Sequence, residues 1–193
     1  STNTANTISA TNVAIFVHNS IGSTNAIRVD ADSLAAVSNV TGDIAIEDVD
    51  DVTIANVVVT TGSTIPGLQS TASDITVTSN GTMTIAAQAV AHSNGNLTLT
   101  AANGDIALNQ DIGSDSGTFN GNVDGNGTGT VHLDAQSGAI TTDGSSAIKT
   151  AGTTILQSAT GIGSSANPID TSTNTIAATS GDDAFINESD AVT

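Results

Sequence analysis

Large aliphatic residues recur along this chain in pairs two positions apart, and short polar corners separate the pairs. The stretch Asn94 to Leu108, NGNLTLTAANGDIAL, shows the unit: Leu97/Leu99 and Ile106/Leu108 alternate with Thr98, Thr100 and Ala107 around a Gly104-Asp105 corner. Alternation with period two puts the aliphatics on one face of a strand and the small or polar residues on the other. The same pattern appears at Val13/Ile15/Val17, closed by Asn19-Ser20, and at Ile27/Val29, Ile44/Ile46, Val52/Ile54, Ile75/Val77 and Met83/Ile85. Leu34 and Val37 form an apolar patch, and Val57-Val58-Val59 a short run. Ser1 to Thr11 reads as a polar lead-in, and Gly62 to Gly67 as a loop or strand edge, because Pro66 cannot donate to a ladder. No window combines apolar residues at three-four spacing with good helix formers, so short strands are expected throughout.

The units repeat. Val131, Leu133, Ala135, Gly138 and Ile140 match Leu97, Leu99, Ala101, Gly104 and Ile106 at one constant offset. NGTMTIAA from Asn80 returns as NGNLTLTAA from Asn94, placing Met83 over Leu97 and Ile85 over Leu99. Ile148, Ile155, Ile162, Ile169 and Ile176 carry the rhythm on, about one per strand plus turn. Residues 111–129 hold only Ile112, Phe119 and Val123 to bury, and are expected to leave the repeat as an extruded loop. A longer echo runs from Ile21–Thr53 to Ile162–Thr193, roughly 140 residues on. It sets Ile21-Gly22-Ser23 over Ile162-Gly163-Ser164, Leu34-Ala35-Ala36 over Ile176-Ala177-Ala178, and Val52-Thr53 over Val192-Thr193. These patterns predict one continuous all-β unit over 1–193: a parallel β-solenoid of short strands with Gly, Asn and Asp turns, each coil pairing with its neighbours.

Composition narrows the choice. Phe16, Phe119 and Phe185 are the only aromatics among 193 residues, too few for the bulky interior of a sandwich but enough for a narrow aliphatic core. The net charge of -17, with Arg28 and Lys149 the only cations, argues against nucleic acid and anionic membrane partners. Mean hydropathy of +0.10 and abundant β-branched residues oppose disorder. Without cysteine there is neither a disulfide framework nor a thiolate metal site. No apolar run reaches the ~18 residues of a membrane span. Ser1 opens the chain without a signal-like segment, so the expectation is a mature, processed or excised piece.

The text GNLTLTAANGDIAL from Gly95, GTVHLDAQSGAITTDGSSAI from Gly129 and GIGSSANPIDT from Gly161 resembles the repeat regions of giant bacterial surface exoproteins and adhesins of the filamentous-haemagglutinin kind. The resemblance implies a right-handed β-helix in a secreted or surface-attached fibre, and it transfers no functional residue.

Candidate chemistry is sparse. Asp48, Asp50 and Asp51 beside Glu47, and Asp182-Asp183 with Glu188 in the echoed copy, are the sites proposed for weak Ca²⁺ binding, since a hard cation takes carboxylate oxygens. Set against that is a solvated turn whose Asp side chains cap their own backbone. Asp124-Gly125-Asn126-Gly127-Thr128-Gly129 begins like a calcium loop but has Ala135 at the twelfth position. His18, His92 and His132 lack metal-ligand spacing and read as surface residues. The Thr76/Thr78, Thr82/Thr84 and Thr98/Thr100 pairs place hydroxyls outward, as on an ice-binding solenoid, though at uneven spacing. Asn39, Asn80 and Asn96 head sequons no more frequent than composition predicts. The expected function is therefore a structural or adhesive extracellular stalk, without catalysis or a cofactor beyond Ca²⁺. It would continue in a longer chain or self-associate end to end, and touch cell surfaces or glycans. The alternatives are a carbohydrate-binding or carbohydrate-cleaving β-helix and an ice-binding solenoid.

Overall fold

The computed structural model describes residues 6–22, 24–59, 62–71, 73–117 and 121–190. Among them there is no helix, and an 18-stranded sheet holds every strand except Val57–Val58 and Thr64–Ile65, which pair antiparallel as a hairpin. The large sheet is parallel throughout and closes into coils of three faces. Ile75–Ser79, Met83–Ile85 and Ala89–Ala91 make one coil; Leu97–Ala101, Ile106–Leu108 and Ile112–Ser114 make the next, each strand in register on its counterpart. We call these faces A, B and C in chain order. Parallel neighbours need long connections, and here the other two faces of each coil supply them.

Face A runs through Thr7–Ser9, Ile27–Asp30, Ile44–Asp48, Ile75–Ser79, Leu97–Ala101 and Val131–Ala135 to the second halves of Ala147–Ser158 and Ile169–Ser180, which makes eight coils. Asn12–Val17 and Ser33–Ser38 each bend from face B into face C without a break. Ala147–Ser158 bends from C into A with a register shift between Thr150 and Thr153.

Inward side chains stack in columns. Ile44, Ile75, Leu97 and Val131 form one on face A, with Ile46, Val77, Leu99, Leu133 and Leu156 beside it. Val52, Met83, Ile106 and Ile140 form the face B column, and Leu68, Ala89, Ile112 and Ile148 that of face C. Nearly all are inaccessible to solvent. Each such aliphatic contributes roughly 1.5–3 kcal/mol of burial, while Phe16 stands outside the core, 53% exposed.

The constant-offset match is a physical stack: Leu97 lies on Val131, Leu99 on Leu133, Ala101 on Ala135 and Ile106 on Ile140. The match of Met83 to Leu97 relates different faces instead. Met83 lies between Val52 and Ile106 on face B, whereas Leu97 lies between Ile75 and Val131 on face A. The longer echo likewise joins unlike places, with Ile21 bridging to Ile44 on face A and Ile162 bridging Ile140 and Ala184 on face B. Its Ser23, Val192 and Thr193, and the interior role of Phe119, lie outside the described residues. Residues 7–9 of the polar lead-in form a strand, and the expected loop at 111–129 first lays down Ile112–Ser114 before leaving the coil.

Glycine at the corners answers to packing. A Cβ on Gly138 would lie 2.6 Å from the carbonyl carbon of Gly104, and one on Gly129 would lie 2.7 Å from that of Gly95. Neither pair needs positive φ; the next coil's backbone occupies the space a side chain would take.

Candidate functional site

Polar groups organise the corners in two ways. On four of the face C strands an inward hydroxyl donates to the carbonyl of a neighbouring turn: Ser38 Oγ to Asn19 O (2.9 Å), Ser70 Oγ to Gly42 O (3.2 Å), Ser114 Oγ to Gly95 O (2.9 Å) and Thr150 Oγ1 to Gly129 O (2.7 Å). At the outer corners, carboxylates and amides accept from the next coil. Asp51 Oδ1 takes the Thr82 N–H (2.6 Å), Asp74 Oδ1 that of Asn96 (2.8 Å), Asp105 Oδ1 that of Ala139 (2.7 Å) and Asp111 Oδ1 that of Ala147 (2.8 Å). Side chains thus extend the ladder around bends where strands cannot pair. Asp143 does cap its own turn, and the Ser145 N–H and hydroxyl hold its carboxyl below the usual range.

The two acidic clusters proposed for Ca²⁺ share the A/B corner but sit in the third and eighth coils. Asp50, Asp182 and Asp183 are exposed there, and Asp51 is committed to Thr82. Glu47 points outward to Arg28 (3.3 Å). Glu188 belongs to a different corner: it accepts from Thr171 Oγ1 (2.6 Å) and the Thr173 N–H (3.2 Å). Among the described residues no three His or acidic side chains converge as a metal set.

Asp48 is not a solvated turn residue. It lies fully buried in the inward column that continues as Ser79, Ala101, Ala135 and Ser158. Its carboxylate accepts from the Ala31 N–H (3.2 Å) and the Asp50 N–H (3.1 Å). Burial pushes its pKa up to about 6 in spite of those two donors, and the Asp50 carboxylate adds to the rise.

The histidines take three different settings. His18 Nδ1 meets Asn39 Oδ1 (2.8 Å), and His132 Nε2 meets Gln157 Oε1 (2.9 Å) on the outer side of face A. His92, expected at the surface, is 1% exposed, with Nδ1 3.8 Å from Asp115 Oδ2. Burial holds its pKa below the ordinary value against the pull of Asp115. The threonine pairs divide as well: Thr76/Thr78 and Thr98/Thr100 stack on face A between Ala45/Glu47 and His132/Asp134, while Thr84 stands on face B.

In its middle coils face C is buried on both sides. Its outward column holds Val37 (6% exposed), Gln69 (5%) and Val90 (0%). Two insertions cover it, and they make the two long steps of the coil, 31 residues from Ile44 to Ile75 and 34 from Leu97 to Val131, against 22 from Ile75 to Leu97. The Val57–Ile65 hairpin leaves at the B/C corner and packs on Asn12–Val17 and Ser33–Ser38. The second insertion leaves at the C/A corner after Ser114 and rejoins the coil at Val131. Asp115 Oδ1 accepts the Gly125 N–H (2.6 Å), and Asn126 Oδ1 that of Ser116 (2.8 Å). Val123 is buried over Gly113, whose absent side chain makes room: a Cβ there would meet Val123 Cγ1 at 2.7 Å.

At the B/C corner an open cleft of about 400 Å³ is lined by Asn56, Pro66, Ala86, Ala87, Gln88, Gln110 and Gly121. Asn56, Gln88 and Gln110 come from three successive coils, and Gln88 Nε2 donates to Gly121 O (3.5 Å). A second depression, on face B, is lined by Asp32, Asp51, Thr53, Thr82 and Thr84.

No protein-family model, curated protein or solved structure matches the chain.

Sequence reasoning passed over the three amides of the cleft. Their one signal was indirect: the Pro66 break and the Gly-rich stretch mark where the coil is interrupted, and an interruption is where a solenoid builds a feature of its own.

Proposed function

We propose that this chain is a structural segment of an extracellular, surface-attached fibre or stalk. The observation that carries the reading is the in-register repetition of one three-faced coil through eight turns around a mainly aliphatic interior. At ~4.8 Å per coil the stack spans roughly 34 Å, and its stability accrues neighbour by neighbour. The edge of any such coil offers unpaired N–H and C=O groups that another parallel coil satisfies, either from the same chain or from a second copy joined end to end. The likeness to giant surface exoproteins supports the extracellular setting. So does the charge of -17, which keeps fibres apart at low salt.

The test is replacement. In the parent surface protein the segment is exchanged for an unrelated rigid rod of equal length, and adhesion of intact cells is measured alongside protease accessibility of the segment. Retained adhesion with an accessible segment is the outcome for a spacer. Lost adhesion, or a segment shielded from protease in intact cells and cleaved only after lysis, overturns the reading.

A further inference from the structure

We propose that the cleft at the B/C corner binds a neutral, hydroxyl-rich ligand, namely one or two uncharged sugar units of a glycan. This goes beyond a spacer role, and a rod can possess or lack such a site without ceasing to be a rod.

The position of the cleft is the first argument. The hairpin branches off beside it, between Asn56 and Pro66, and the insertion between Ser114 and Val131 brings Gly121 into its lining, although a coil of 22 residues, as from Ile75 to Leu97, requires neither. The second is charge. The chain carries 19 carboxylates and two cations, and none of them lines the cleft. Any partner recognised by charge would find no counter-charge there. The third is the chemistry that remains. Asn56, Gln88 and Gln110 each offer an amide donor and a carbonyl acceptor, so vicinal hydroxyls, which donate and accept at once, are satisfied without an ion. Pro66 and Ala86 supply accessible apolar surface for the C–H face of a pyranose. The volume of about 400 Å³ falls within the range of small-molecule sites. Without an aromatic platform the affinity belongs in the millimolar range.

The probes are lactose, maltose, cellobiose and chitobiose, with a galacturonic acid dimer and a glycine-serine pentapeptide as competitors, each titrated into the ¹⁵N-labelled chain. Side-chain amide resonances of Asn56, Gln88 and Gln110 are followed up to about 20 mM ligand. At least one neutral disaccharide is expected to shift all three, and the Gln88→Ala/Gln110→Ala double variant to weaken it about tenfold or more with an unchanged melting temperature. Absence of shifts with every disaccharide overturns the proposal, as does equal or tighter binding of the uronate or the peptide. If the double variant loses stability, Gln88→Glu decides: a carboxylate in the cleft weakens a neutral sugar's binding if the amides contact it, and unchanged affinity overturns the assignment. Because the stalk reading is tested by adhesion after whole-segment replacement, either result here leaves that test intact.

Discussion

Replacing the buried Asp48 carboxyl by a carboxamide should stabilise the protein at neutral pH and leave it nearly unchanged in acid. Asp48 is 0% exposed and its pKa is raised from 3.8 to about 6. Below the unfolded pKa both states are protonated, and the protonated side chain is the form that burial favours. As pH rises from about 4 to 6 the unfolded chain ionises first, so the folded state holds the extra proton and stability falls with pH. A shift of about 2 units corresponds to roughly 3 kcal/mol, lost by pH 7. Asp48→Asn cannot ionise, but it keeps one acceptor oxygen where the carboxylate offers two, Oδ2 to the Ala31 N–H and Oδ1 to the Asp50 N–H, so one of these bonds is lost. The free energy of urea unfolding is measured for both proteins at pH 3 and from pH 5 to 8, avoiding the isoelectric point near 4.1 where solubility is least. The variant should lie within ~1 kcal/mol of wild type at pH 3, and its stability relative to wild type should rise by roughly 2–3 kcal/mol between pH 3 and pH 7. A carbon-13 titration of the Asp48 carboxyl should have its midpoint near 6. A stability difference that does not change with pH would refute the account, because a desolvated carboxyl must titrate differently in the two states.

Four further outcomes are expected. Gly138→Ala drives a Cβ to within 2.6 Å of Gly104 backbone and should lower stability by about 1–3 kcal/mol, whereas Gly117→Ala, with no atom within 4 Å, should be neutral in the same thermal melts. Thr154→Val removes a buried hydroxyl that has no hydrogen-bond partner and sits between Val131 and Ile176; a gain of about 1 kcal/mol in denaturant is expected, and a loss would mean the hydroxyl is satisfied. Asp105→Ala leaves the Ala139 N–H without its acceptor and should cost about 1 kcal/mol, while Asp105→Asn should restore most of it. Millimolar Ca²⁺ should raise the melting temperature or bundle the rods through the exposed Asp50, Asp182 and Asp183; light scattering and melts unaltered by Ca²⁺ would leave these as plain corner residues.

How far the candidate site could be read in advance follows from the kind of interaction each residue makes. Asp51 and Asp105 stand out in sequence as turn acids, and they are; that their oxygens serve the next coil depends on which residue lies one coil on. Asp48 is indistinguishable from Asp50 in composition, yet it closes an inward column while Asp50 faces water. Gln88 and Gln110 carry no periodic signal, because corner residues outside the ladder obey no period-two constraint.

Local alternation sufficed for the class of fold. Leu97/Leu99 and Ile106/Leu108 each specify an inward face through the pleat of their own strand, and the constant offset to Val131 and Ile140 persists because stacked coils share one register. Tertiary structure alone decided which unit lies on which. Faces A and B present the same aliphatic pattern to the same interior, so Met83 resembles Leu97 in text while stacking on Ile106. It also decided that the middle of face C is covered and that Asn56, Gln88 and Gln110 line one cleft. The hairpin and the second insertion reach their places by contacts between distant coils, and those contacts leave no periodic mark on the chain.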